Sequence, residues 1–139
     1  NHSCKIIFPE DVLVGKDMND TSKIKELNDI KNDDMILDIG PKTIKKIKEI
    51  IELSNTVLWN GPAGYFENIN FANGSYEIAK AISKRNKKKS IYSVVGGGDT
   101  IAVINQINAF KDFNFVSTAG GAFLEYLEGK ELPGIKALK

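Results

Sequence analysis

The residues best placed to do chemistry are Gly96, Gly97, Gly98, Asp99 and Thr100, which follow the β-branched end of Ser93-Val94-Val95 and lead into the helix-like run Ile101 to Phe110. That order reads as strand, glycine turn and helix start. A helix beginning leaves backbone N–H groups unpaired and carries partial positive charge. Glycines let a phosphate approach that backbone closely. Asp99 is then placed to hold a hydrated Mg²⁺ beside the phosphates, because this ion takes carboxylate together with phosphate oxygens. Taken alone, the run also fits a tight turn in which Asp99 or Thr100 is a plain N-cap. It is neither a Gly-Lys-Ser/Thr phosphate loop nor a G-x-G-x-x-G fingerprint.

Two more strand-like runs end in glycine loops. Thr56–Trp59 runs into Asn60-Gly61-Pro62-Ala63-Gly64, and Asn114–Ser117 runs into Thr118-Ala119-Gly120-Gly121. In wound α/β sheets ligands bind beyond the carboxyl ends of the strands. Three such loops on one edge predict a single elongated site walled by backbone amides. Those at 96–100 and 118–122 could converge on one polyphosphate, one holding a terminal phosphate and the other a phosphoryl group in transit. Glu67, just past the middle loop, could accept from ribose hydroxyls; it also reads as a surface acid or a first-turn acid of a helix.

Composition narrows the alternatives. The chain has 139 residues, 42% hydrophobic content and a net charge of +1, which suits one globular domain and argues against nucleic acid or membrane as partners. Of the 19 basic residues only Arg85 is arginine, the usual bidentate clamp for phosphate and carboxylate, so a complete site for a small phosphorylated acid is not expected here. The single Cys4 excludes an internal disulfide and fits a reducing, cytoplasmic compartment. His2, the only histidine, falls at a terminus expected to fray, so no nucleophile built on histidine is credible. The chain opens without methionine and is expected to be cut from something longer, or processed. The basic run Arg85 to Lys89 reads as a solvated helix end.

The elements that position these residues alternate. Cys4–Phe8 and Val12–Val14 read as strand pieces broken by Pro9, and 24–27 as a short edge strand. Met35–Ile39 is an apolar piece punctuated by Gly40-Pro41. Ile44, Ile47, Ile50 and Ile51 recur at helical spacing, giving a helix to about residue 54. Further helices are expected over 71–86, 100–110 and 122–127, with strands over 56–59, 91–95 and 114–117, Gly129 at a helix C-cap and a helix-like stub at the end. The pattern argues a parallel, wound α/β sheet of the three-layer kind.

Together the motifs resemble the phosphoglycerate kinase family. The match is carried by Leu37-Asp38-Ile39-Gly40-Pro41-Lys42-Thr43, by Leu58-Trp59-Asn60-Gly61-Pro62-Ala63-Gly64-Tyr65-Phe66-Glu67, by Val95 to Thr100, by Ser117-Thr118-Ala119-Gly120-Gly121-Ala122-Phe123-Leu124-Glu125, and by the ending Leu127 to Gly134. The resemblance implies a two-domain glycolytic kinase that moves a phosphoryl group between 1,3-bisphosphoglycerate and ADP with Mg²⁺, giving 3-phosphoglycerate and ATP, monomeric at full length. Residues 1–139 are then expected to be most of its nucleotide-binding C-terminal domain. The basic phosphoglycerate-binding domain and the start of the nucleotide domain would lie outside them, and the fragment alone would be inactive. By the same match Asn60, Gly61 and Pro62 line the nucleotide pocket, Glu67 takes the ribose, and Gly97, Gly98, Asp99 and Thr100 take the phosphates. Asp99 takes the metal, and Gly120 and Gly121 offer amides to the transferring phosphoryl. One departure is Ala119, where the family usually has a first glycine; its methyl group is tolerable provided φ is negative. A non-catalytic nucleotide-binding or assembly module that keeps the fold is the other reading. A dinucleotide dehydrogenase domain is disfavoured, because no G-x-G-x-x-G follows the first strand.

Overall fold

A computed structural model describes residues 4–138; His2 therefore lies outside the described residues. The chain is mixed α/β and divides into two units, Asn1–Ile50 with Ala63–Ile78, and Ile51–Pro62 with Ala79–Lys139.

The first unit is built on a three-stranded antiparallel sheet of β1 (Asp11–Gly15), β2 (Lys23–Glu26) and β3 (Met35–Ile39), in the order β2-β1-β3. Every residue of β1 is buried, as befits a central strand of Val-Leu-Val between two partners. β2 is the expected edge strand, and its Lys-Ile-Lys-Glu sequence tolerates solvent. Cys4–Phe8 forms no strand; Pro9 removes a donor from that stretch, and its apolar residues Ile6 and Phe8 stay exposed. Parallel pairing was the expectation from alternation, and it holds in the second unit only. The small core of the first unit joins Leu13, Leu37 and Phe71, with Tyr65 packed against them.

Two buried carboxylates organise this unit. Helix α1 (Pro41–Leu53) begins over Asp11, which is 1% exposed. Its carboxylate accepts from the Lys42 N–H at 3.0 Å, the Thr43 N–H at 2.8 Å and the Thr43 hydroxyl at 2.8 Å. Burial works to raise the Asp11 pKa, but the amides of Lys42 and Thr43 outweigh it and hold the group below its ordinary value. Gly40 is required here, because a Cβ at that position would overlap the carboxylate. Helix α2 (Asn73–Lys87) begins in the same way over Asp38, which is 2% exposed. Asp38 accepts from the Gly74 N–H at 2.8 Å and the Ile39 N–H at 2.8 Å. Burial dominates there, and the pKa is pushed up to about 6 despite those two bonds.

The second unit holds a three-stranded parallel sheet, β4 (Thr56–Asn60), β5 (Tyr92–Gly96) and β6 (Phe115–Ser117), with β5 in the middle. Helix α2 connects β4 to β5, and α3 (Gly98–Gln106) connects β5 to β6. α4 (Gly121–Leu127) and the short α5 (Pro133–Lys136) follow. Val95, Val103 and Ile104 are fully buried. β6 has three residues, and its entry is pinned by Asn114, whose side-chain oxygen accepts from the Ser93 N–H at 2.8 Å. The lone arginine is not the solvated helix end expected of it. Arg85 is half-buried, and its guanidinium donates to the carbonyls of Ile51, Ser54 (2.6 Å) and Ser90 (2.8 Å). It thereby closes the C-terminus of α1, where orphan carbonyls need donors. Lys89 takes the left-handed conformation (φ 53) that ends α2.

The raised pKa of Asp38 gives a pH test. A carboxylate whose folded pKa lies above its unfolded value favours folding below about pH 4 and loses that contribution as pH rises through about 6. The stability of Asp38→Asn relative to the wild type should therefore improve by about 1–3 kcal/mol between pH 4 and pH 7. Urea unfolding of both proteins across that range measures it; a flat difference would refute a net cost of burying the ionised Asp38.

Candidate functional site

The parallel register decides where the glycine loops stand. Asn60 lies opposite Gly96, and Gly96 opposite Ser117, so the last residues of β4, β5 and β6 form one row at the carboxyl edge. The loops that follow open side by side from that row. Asn60, Gly61 and Pro62 lie in the first, Gly97 to Thr100 in the second, and Gly120 and Gly121 in the third. Three loops on one sheet edge are thus what the second unit contains.

The middle loop is the tightest. Gly96 is buried, and a Cβ there would come within 2.8 Å of the Phe123 ring and 3.0 Å of Asn60 Oδ1. Gly97 holds φ at 87°, which an L side chain rarely adopts, and stands at the N-cap of α3. No side chain caps that helix. Asp99 and Thr100 sit inside the first turn, so neither is the plain N-cap that a bland turn would need. Space beside Gly98 is open and the Asp99 carboxylate is exposed. The α3 start therefore presents main-chain donors and one carboxylate to the outside.

Thr100 plays another part. It is 0% exposed, and its hydroxyl accepts from the Gly61 N–H at 2.7 Å. That bond ties the first loop to the second and helps hold Gly61 at φ 110°. Its backbone N–H belongs to the α3 first turn, while its side chain is spent on loop geometry. Only the threonine's place after Asp99 was visible in the sequence; its partner 39 residues away was not.

The third loop is the most open. Gly120 has φ 54 and ψ −129 and is the N-cap of α4, again with no side-chain cap. A Cβ at Gly120 or Gly121 would meet nothing within 4 Å. Ala119 is not among the described non-glycine residues of positive φ, so it meets the condition on which its methyl group is tolerable. Its N–H lies 3.3 Å from the Ser117 hydroxyl.

Glu67 belongs to the first unit. It is exposed, between buried Phe66 and Asn68. The turn that carries it is anchored on β3, where the Tyr65 N–H donates to the Leu37 carbonyl at 2.7 Å. Asp38 was not singled out as a separate actor in the sequence. A carboxylate inside the apolar run Met35–Ile39, just before Gly-Pro, was the available signal. Among the described residues no group of three or more His, Cys, Asp or Glu could hold a metal, and no helix is long and apolar enough to cross a membrane.

Comparisons with known proteins agree with the motif pattern. The sequence model of phosphoglycerate kinase matches residues 1–130. Phosphoglycerate kinase of Zymomonas mobilis is 48% identical over 138 residues, covering 98% of this chain and 35% of that protein. The same enzyme of Orientia tsutsugamushi strain Ikeda is 46% identical over 139 residues, with 98% and 34% covered. Among solved structures, phosphoglycerate kinase from Coxiella burnetii superposes with a TM-score of 0.86 at 38% identity, over 96% of this chain and 34% of that one. That from Pyrococcus horikoshii gives 0.78 at 34% identity, over 94% and 31%. The chain thus spans about a third of the length of the relatives it matches. With a family match over nearly its whole length and the same fold in solved relatives, the chain belongs to the phosphoglycerate kinase family.

Proposed function

We propose that this chain supplies the nucleotide site of a glycolytic phosphoglycerate kinase, which moves a phosphoryl group reversibly from 1,3-bisphosphoglycerate to ADP to give 3-phosphoglycerate and ATP. The observation that carries the reading is the row Asn60, Gly96, Ser117, from which three glycine loops open on one sheet edge. Loops of this kind suit a polyphosphate, because backbone amides can surround it without a side chain in the way.

In this reading the amides of Gly97, Gly98 and Asp99 take the nucleotide phosphates, and the buried Thr100 shapes their loop through its bond to Gly61. Asn60, Gly61 and Pro62 line the nucleotide pocket. Gly120 and Gly121 donate to the phosphoryl group as it transfers, where positioned donors count for most. Glu67 takes ribose hydroxyls, an assignment that rests on the sequence motif. Asp99 fits a Mg²⁺ ion that draws its other ligands from phosphate and water, as this ion commonly does, since one exposed carboxylate is what the α3 start offers. Bound there, the metal would neutralise phosphate charge during transfer. The phosphoglycerate would be held by a domain outside these residues, in a full-length monomer working in the cytoplasm. Scarcity of arginine supports that division, since the one present is occupied with carbonyls.

Two measurements test this. Titration calorimetry should show Mg-ADP binding to the 139-residue chain, weakened on the order of tenfold in Asp99→Ala as a charged ligand is lost; no heat from a folded chain would sink the nucleotide assignment. In a coupled turnover assay the same chain should show little or no kinase activity, because one part cannot bring both substrates together. Clear turnover would overturn the division of labour.

A further inference from the structure

Asp38 is a charged group in an expensive place with no role in the reaction as proposed. Its carboxylate is 2% exposed and no cation among the described residues pairs with it; its partners are the N–H groups of Ile39 and Gly74, each at 2.8 Å. An asparagine or an apolar residue would avoid the desolvation cost. What a carboxylate alone supplies at this length is two acceptor oxygens at once. Both are used, one on β3 and one on the first turn of α2.

The third neighbour shows what that arrangement holds. Gly64 packs so closely on Asp38 that a Cβ there would overlap the carboxylate and come within 2.6 Å of the Leu37 carbonyl. The next residue, Tyr65, donates its N–H to that same carbonyl at 2.7 Å. Two residues on comes Glu67. On its far side Asn68 is fixed as well: its N–H reaches the Tyr65 carbonyl at 3.3 Å, its amide nitrogen donates to the Met18 carbonyl at 2.7 Å, and its carbonyl accepts from the Phe71 N–H at 2.9 Å. Glu67 is therefore the exposed tip of a turn whose two feet are bonded down. The foot on β3 rests on the Asp38 carboxylate.

We infer that Asp38 is the positioning residue for Glu67: by gripping Ile39 and Gly74 while packing on Gly64, it sets the path of the turn that presents the Glu67 carboxylate to a ribose. The inference rests on the ribose role proposed above for Glu67. It adds a determinant of sugar selectivity that touches no ligand. Asn in place of Asp38 keeps the size but offers one acceptor, so either Ile39 or Gly74 faces an NH₂ group and must shift. Ala at residue 64 pushes the same turn from the other side.

The test compares Mg-ADP with Mg-2′,3′-dideoxy-ADP by calorimetry on the 139-residue chain at pH 7.5, with Mg-tripolyphosphate as a probe of the phosphate loops alone. The wild type should prefer ADP over the dideoxy compound by on the order of tenfold, the worth of a charge-assisted hydrogen bond. Asp38→Asn and Gly64→Ala should bind both nucleotides at the weaker level and leave tripolyphosphate unchanged, with circular dichroism melts confirming the fold. Glu67→Gln should behave alike, and adding Asp38→Asn to it should cost nothing more, since residues acting through one group are not additive. Retained preference in a folded Asp38→Asn or a folded Gly64→Ala overturns the positioning role alone, as does a double variant weaker than Glu67→Gln. A wild type that binds both nucleotides equally overturns the ribose role and this inference with it, while a wild type that binds neither overturns the nucleotide reading from which both descend.

Discussion

The structure depends most on the register of one parallel sheet. Because Asn60, Gly96 and Ser117 are opposite one another, each chain reversal after them starts from the same line. A slip of one residue in either pairing would turn the inward faces of β5 outward and move one loop out of the row. Small interactions guard against that slip. Asn114 lends β6 a bond to Ser93 ahead of its three-residue ladder, and Thr100 binds Gly61 across the top. The large side chains do the rest, with Val95, Val103 and Ile104 all fully buried and Phe123 lodged beside Gly96.

Helix beginnings in the two units are managed in opposite ways. α1 and α2 start over buried aspartates that satisfy their amides from within, Asp11 for one and Asp38 for the other. α3 and α4 start at glycines with no side chain to cap them. An uncapped helix start is costly unless water or a ligand supplies the acceptors. Closed starts serve architecture, while open starts leave their first main-chain donors without a side-chain acceptor. The contrast lies in residue type: aspartate from an earlier strand in the first case, glycine at the cap itself in the second.

Much of this was legible in the chain. Strand, glycine loop and helix at β5–α3 came from β-branched residues followed by glycines, and the structure puts the helix start at Gly98, two residues before the sequence expectation. β4, β6, α1, α2 and α4 fell close to their predicted spans. What stayed hidden depends on neighbours distant in sequence. Arg85 looked like one more cation in a basic run, since nothing local shows the carbonyls of Ile51 and Ser54 arriving beside it. Antiparallel pairing of β1 with both its neighbours leaves no local mark, because alternation of strands and helices sets in only after β3. Cys4–Phe8 has strand composition but no partner strand among the described residues, and composition does not report partners.

Gly120 carries a consequence of its own. At φ 54 and ψ −129 it occupies the mirror image of a conformation that L-residues adopt freely. Room is not what restricts the position, since nothing lies within 4 Å of an added Cβ. Handedness is. Ribosomal synthesis offers a single achiral building block, so no other encoded residue fits this position without strain, whereas a chemically assembled chain with D-alanine at residue 120 would keep the turn and stiffen it.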